Sequence, residues 1–208
     1  MTEGRRRPIG ARLGDLTDAQ HGYFTRAQAV RVGVGDMDLR RAVRSGAVKR
    51  LDHGVYRLAG AGRDTHQQLR VARLRLTPEQ SPRQRTARPH LWVSHRSAAA
   101  LLDLGVLAAD VPEFTSDRRL QTRAEVRIRV RPAGLERGEW MVQQGFPVTT
   151  PTRTIADLAS DRLDGGHLGR IAFDALSRNL VTVGQVESAL AGRADLAAIL
   201  DQALGKAR

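Results

Sequence analysis

Between residues 25 and 58 the chain carries helix starts, helix stops and a hairpin turn in quick succession, and their spacing constrains the fold more than any other feature. Thr25-Arg26-Ala27-Gln28 puts a glutamine three residues after a threonine, so that each side chain can satisfy an orphan N–H at a helix start. The helix it opens, 26 to about 32, stops at Gly33-Val34-Gly35. Asp36 can cap a further helix over 37–45, closed by Gly46 where a left-handed residue is favoured. Residues 48–51 and 55–58 read as strands, and Asp52-His53-Gly54 supplies the turn between them. Upstream, Leu13 and Leu16 belong to an amphipathic helix. Three short helices followed at once by a two-stranded hairpin is the element order of a winged helix-turn-helix.

Such a domain needs a cationic outer face on its third helix. Arg40, Arg41 and Arg44 meet that need, because positions three and four apart are neighbours on a helix. Leu39, Ala42 and Val43 are left for the core. On the hairpin Lys49, Arg50, His53 and Arg57 are placed to neutralise phosphates, and Thr25 and Arg26 stand at a helix start that can hold another. The alternative for the arginines is a solvated face in an arginine-rich chain, since 32 of the 34 cations are arginine. Regional charge favours the polyanion: the formal net charge is +6 over 1–60, +7 over 61–137 and −1 over 138–208, within a total of +12.

The remainder reads as a mixed α/β segment, giving an α+β protein overall. A domain of 1–60 is followed by a connecting helix and linker over 61–90 and a C-terminal domain over 91–208. The stretch 78–90, with three prolines and several cations, is expected to be an exposed linker. A strand at 91–93 leads to Ser94, which can cap an Ala/Leu-rich helix ending at Gly105. Residues 126–131 alternate apolar and arginine side chains, the pattern of a half-exposed strand. Thr150-Pro151 opens another helix, and three helical stretches follow at about 166–178, 183–191 and 194–204, the middle one with a capping box of Thr182 and Gln185.

No run of apolar residues is long enough for a membrane span, and Arg5, Arg6 and Arg7 precede no apolar core of a secretory signal. A cytoplasmic location without membrane partners is therefore expected. The absence of cysteine excludes disulfides, thiolate metal sites and cysteine nucleophiles. Six histidines include no His-x-x-x-His pair, so no metal site is expected.

Three blocks of the N-terminal region, Gly22-Tyr23-Phe24-Thr25-Arg26-Ala27-Gln28-Ala29, Arg41-Ala42-Val43-Arg44-Ser45-Gly46 and His53-Gly54-Val55-Tyr56-Arg57-Leu58, resemble the winged helix of AbiEi-type antitoxins of bacterial type IV toxin–antitoxin systems. Val93-Ser94-His95-Arg96-Ser97-Ala98-Ala99-Ala100-Leu101 and Val148-Thr149-Thr150-Pro151-Thr152-Arg153-Thr154-Ile155-Ala156-Asp157-Leu158 are similar to the blocks that follow, so the likeness runs from about 20 to 190. The resemblance implies a DNA-binding N-terminal domain that represses its own operon's promoter. It also implies a C-terminal domain that neutralises a nucleotidyltransferase-type toxin.

For the toxin-facing surface the sequence offers Ser94, His95, Arg96 and Ser97 at one helix start, and Arg153 and Asp157 four apart on another. The first group is either an anion site or a capped helix; the second is either a partner surface or an internal ion pair. A competing class is an atypical serine kinase acting on the toxin with ATP and magnesium. The sequence has no Gly-rich loop followed by Lys-Ser/Thr, and its lysines, Lys49 and Lys206, stand in the hairpin and near the terminus. Asp103, Asp117, Asp157 and Asp161 have no spacing that marks a magnesium site, so whether the chain is an enzyme stays open and no cofactor is expected outside that reading.

Overall fold

Phe24 and Tyr56 stack with ring centroids 5.6 Å apart, and around this pair the N-terminal core is assembled. In the computed structural model, which describes residues 8–205, helix α1 (Ile9–Asp18) is followed by strand β1 (Tyr23–Thr25), α2 (Arg26–Arg31) and α3 (Asp36–Arg44). Strands β2 (Val48–Asp52) and β3 (Val55–Leu58) complete an antiparallel sheet of order β1-β3-β2. Arg5, Arg6, Arg7 and Lys206 lie outside the described residues. The capping box at Thr25 is present in both directions, with Gln28 N–H donating to Thr25 Oγ1 (3.1 Å) and Thr25 N–H to Gln28 Oε1 (2.9 Å). Gly46 adopts φ +75 just past α3, the left-handed closure that a Cβ would disfavour. The N-cap of α3 is Gly35 rather than Asp36, which forms the first turn with Asp38 and there complements the helix dipole. Leu13, Phe24, Ala29, Val34, Leu39, Ala42 and Val48 are buried together as the core.

The chain divides into two compact units, the first reaching Ala87 and including Thr122–Ala124, the second comprising Arg88–Gln121 and the chain from Glu125 onward. Residues 78–87 of the expected linker belong to the first unit and contain a helix, while 88–90 belong to the second. Helix α4 (Gln67–Leu76) sets Leu74 in a second buried cluster with Tyr23 and Val55, and α5 (Pro82–Ala87) follows. Arg85 is buried there: its guanidinium donates to Thr77 Oγ1 (2.9 Å), to the Thr77 carbonyl (2.7 Å) and to Gln20. Burial alone pulls this arginine down to about 10, still far above neutrality. Composition suggests a solvated segment, but three hydrogen bonds spend the charge that would otherwise demand water.

The second unit is an α/β body on a five-stranded mixed sheet of order β6-β5-β4-β8-β7. Its strands are β4 (Leu91–Val93), β5 (Glu113–Ser116), β6 (Arg127–Val130), β7 (Trp140–Gln143) and β8 (Phe146–Thr149). β4 runs parallel to β8 and β5 parallel to β6, while β4–β5 and β7–β8 are antiparallel. The β7–β8 hairpin turns at Gln144 and Gly145, both at positive φ (+50 and +79), as a two-residue turn of matching twist requires. Helix α6 (His95–Leu101) follows β4, ending earlier than Gly105, and α7 (Pro151–Ser160) follows β8. α8 (Gly165–Ser177), α9 (Val183–Ala189) and α10 (Leu196–Ala203) complete the unit. Thr150 caps α7 with proline next in line, and the Thr182–Gln185 capping box is formed at α9. Phe114, Phe146, Val148, Ile155, Leu168 and Ile171 are fully buried at its centre. Among the described residues no helix is long and apolar enough to cross a membrane.

Candidate nucleic-acid interface

Helix α3 buries Leu39 and Ala42 and turns Arg40, Arg41 and Arg44 to solvent, as their spacing requires. Arg40 and Arg44 make no ion pair among the described residues, whereas Arg41 Nη1 lies 3.7 Å from Asp38, whose other oxygen receives Arg12 at 2.9 Å. Val43, placed in the core by pattern, is partly exposed instead. Beside α3 a cleft of about 500 Å³ opens between the helix and the hairpin, with Leu39, Val43 and Tyr56 along its apolar part. Arg26, Arg40, Arg44, Arg50 and His53 surround it. Arg26 is aimed by a bidentate pair with Asp36, Nε to Oδ1 and Nη2 to Oδ2 both at 2.6 Å. Hydrogen bonding to Arg26 holds the Asp36 carboxyl below the usual carboxylate range, and Asp36 in turn raises Arg26. Asp36 is the acidic member of this rim, and sequence reasoning gave it only a capping role.

Alternation along the hairpin separates its cations. Arg50 lies opposite Tyr56, which lies opposite Phe24, so these residues share the face toward α3. Lys49 pairs with Arg57 and Arg57 with Tyr23, so Lys49 and Arg57 belong to the reverse face, beside α4. Arg57 there covers the Tyr23 ring at 4.7 Å and donates to carbonyls of Gly62 and His21. The two-residue period of the strands thus divides the expected phosphate-binding strip between two faces. Thr25 is also corrected, because it is fully buried and its hydroxyl both caps α2 and donates to the Pro78 carbonyl (2.7 Å). Arg26 alone carries the exposed side chain at that helix start.

In the second unit the expected surface residues mostly face inward. Ser94 is fully buried and makes no side-chain cap; its Oγ lies 2.9 Å from His95 Nδ1 and receives Thr115 Oγ1 at 3.0 Å. His95 is buried at φ +54, and its Nε2 stands 3.9 Å from Asp161. Burial first, and the nearby Arg129 second, lower this imidazole to about 4, so it is neutral at pH 7. Ser97 is buried and accepts the Glu113 N–H at 2.9 Å, leaving Arg96 half-exposed. Arg153 and Asp157 do form the internal ion pair, which Glu139 extends at 3.4 Å from Arg153. Asp157 is buried, and burial pushes its carboxyl up against the opposing pull of Arg153. Arg153 also borders a cleft of about 670 Å³, shared with Thr150, Thr152, Glu139 and the apolar Leu102, Met141 and Leu180. Arg96 and Arg153 are thus the charged members of the expected surface that reach solvent.

The expected likeness to AbiEi-type antitoxins is borne out over residues 12–59, which match the family model described as "Transcriptional regulator, AbiEi antitoxin". That segment runs from within α1 through β1, α2, α3 and the hairpin. No curated protein matches the chain. Among solved structures the RV2827C protein from Mycobacterium tuberculosis is similar, with 16% identity and a TM-score of 0.56. The match covers 96% of this chain and 79% of that one, so the mixed α+β fold is shared along nearly the whole length.

Proposed function

We propose that this AbiEi-like chain is an antitoxin that represses its own operon through its first unit and neutralises a nucleotidyltransferase-type toxin through its second. The observation that carries the DNA-binding half is the outward face of α3, where Arg40, Arg41 and Arg44 stand exposed beside a cleft edged by Arg26, Arg50 and His53. A helix of this kind enters the major groove, its arginines reaching guanine edges, while the cleft edge meets the sugar–phosphate strand. Promoter DNA of its own operon and the product of a neighbouring toxin gene are the partners this reading names, and the cytoplasm is where they meet.

Retardation of a duplex spanning the chain's own promoter tests it. The triple variant Arg40→Ala, Arg41→Ala, Arg44→Ala should lose specific retardation at physiological salt with its melting temperature nearly unchanged, since all three side chains are exposed. Each base-contacting arginine is worth about 1–3 kcal/mol, and each lost phosphate contact lowers the slope of log K against log salt by about 0.9. Normal retardation by the triple variant would remove α3 from the interface. Co-expression with the adjacent gene tests neutralisation, and radiolabelled ATP in the same mixture separates a binding antitoxin from one that phosphorylates its toxin.

A further inference from the structure

Met37 stands in the first turn of α3 with 67% of its surface exposed. Arg40, Arg41 and Arg44 follow it by three, four and seven residues, so the methionine shares its helix face with three exposed guanidinium groups. A single exposed apolar residue is ordinary. This one differs because phosphate binding gives no role to an apolar side chain at the head of a cationic face, and Met37 caps no part of the core gathered by Leu39 and Ala42. The early turns of a helix-turn-helix recognition helix are also the part that approaches base edges.

Major-groove edges present donors, acceptors and a single apolar group, the 5-methyl of thymine. Methionine, unbranched and polarizable, can follow such a small target without a fixed rotamer. Resting on the DNA-binding reading above, we propose that Met37 is a specificity-determining residue that packs on a thymine methyl in the operator. The arginines that follow it on α3 then fix register by reaching neighbouring guanines. The operator accordingly carries a required thymine next to guanine positions, and its recognition depends on a methyl group that no hydrogen bond reports.

The test uses the full chain and duplexes it selects from a random pool, followed by replacement of each thymine in the selected site with uracil, which deletes only the methyl. At fixed salt, at least one thymine position of the site should lose about threefold to tenfold in affinity on that replacement. Met37→Ala should weaken binding to the thymine duplex by a similar factor and show no further loss with uracil. Arg44→Ala should weaken both duplexes while preserving the difference between them. A selected site with no methyl-sensitive thymine, or an undiminished methyl effect in Met37→Ala, overturns the proposal while leaving DNA binding in place. Failure to select any duplex instead removes the DNA-binding reading and this assignment with it. Met37→Ala that binds DNA normally but no longer associates with the toxin assigns the residue to a protein partner and also overturns it.

Discussion

His95 opens α6 in a left-handed conformation that only a few per cent of non-glycine residues adopt, and it does so buried. Its burial, and secondarily the nearby Arg129, disfavour the charged ring, which accounts for a value near 4 in the fold. An unfolded histidine titrates near 6.5, so between that value and 4 the unfolded chain binds a proton that the folded one refuses. The second unit should therefore lose up to about 1.4 kcal/mol of stability per pH unit across this window as pH falls, with little effect of this group above it. Trp92 and Trp140 are the two tryptophans of the chain and both belong to the second unit, so urea titrations followed by tryptophan fluorescence read that unit selectively. His95→Asn, which tolerates positive φ, should flatten the dependence; an unchanged slope in the variant would assign it to other groups. At this scale the sequence marks residue types well and their surroundings poorly. Thr25 is legible as a cap from its neighbour Gln28, yet its hydroxyl also serves the Pro78 carbonyl, a contact no local pattern encodes.

At the scale of elements, local chemistry carried the N-terminal reading. The Thr25 and Thr182 capping boxes and Gly46 punctuate the chain where the sequence suggests, and the hairpin turns at His53-Gly54, with Asp52 drawn from the expected turn into β2. The elements that escaped are those fixed from a distance. β1 has three residues and becomes a strand only by pairing with β3. α5 is held by the Arg85 bonds to Thr77 and Gln20, and the β7–β8 turn uses Gln144 where asparagine is usual. The hairpin shows what this costs a site prediction, because Lys49, Arg50 and Arg57 look equivalent until strand register divides them. Arg50→Ala should weaken promoter binding by about threefold to tenfold and reduce the salt slope by about 0.9, as expected for one phosphate contact. Lys49→Ala should change neither by more than about twofold, and Arg57→Ala should act on thermal stability through its Tyr23 contact. Retardation assays at three salt concentrations distinguish them. Equal effects of Arg50→Ala and Lys49→Ala would mean that the reverse face also meets DNA.

At the scale of the whole molecule, charge and core are both partitioned. Each unit has its own buried centre, and the positive charge lies before residue 138 while the remainder is close to neutral. A near-neutral helical region is ill suited to a polyanion and well suited to a protein partner, whose interfaces are depleted of charge at their centre. Two sets of substitutions in the full chain should therefore dissociate the activities. The Arg40, Arg41, Arg44 triple variant, expressed from an unrelated promoter, should protect cells from the toxin as well as the parent while failing to retard promoter DNA. The complementary variant needs care, because removing only Arg153 would leave the buried Asp157 without its ion-pair partner. Replacing both, Arg153→Gln with Asp157→Asn, keeps a polar pair of similar shape and should cost at most about 1–2 kcal/mol of stability. Combined with Arg96→Ala, it should retain promoter retardation within about twofold and weaken protection by at least about tenfold if the cleft at the start of α7 meets the toxin. Protection scored by growth at matched expression, with fluorescence melting as the control for folding, decides the matter. Should the α3 variant lose protection at undiminished stability, or the α7 variant keep it in full, the two activities do not divide between the units.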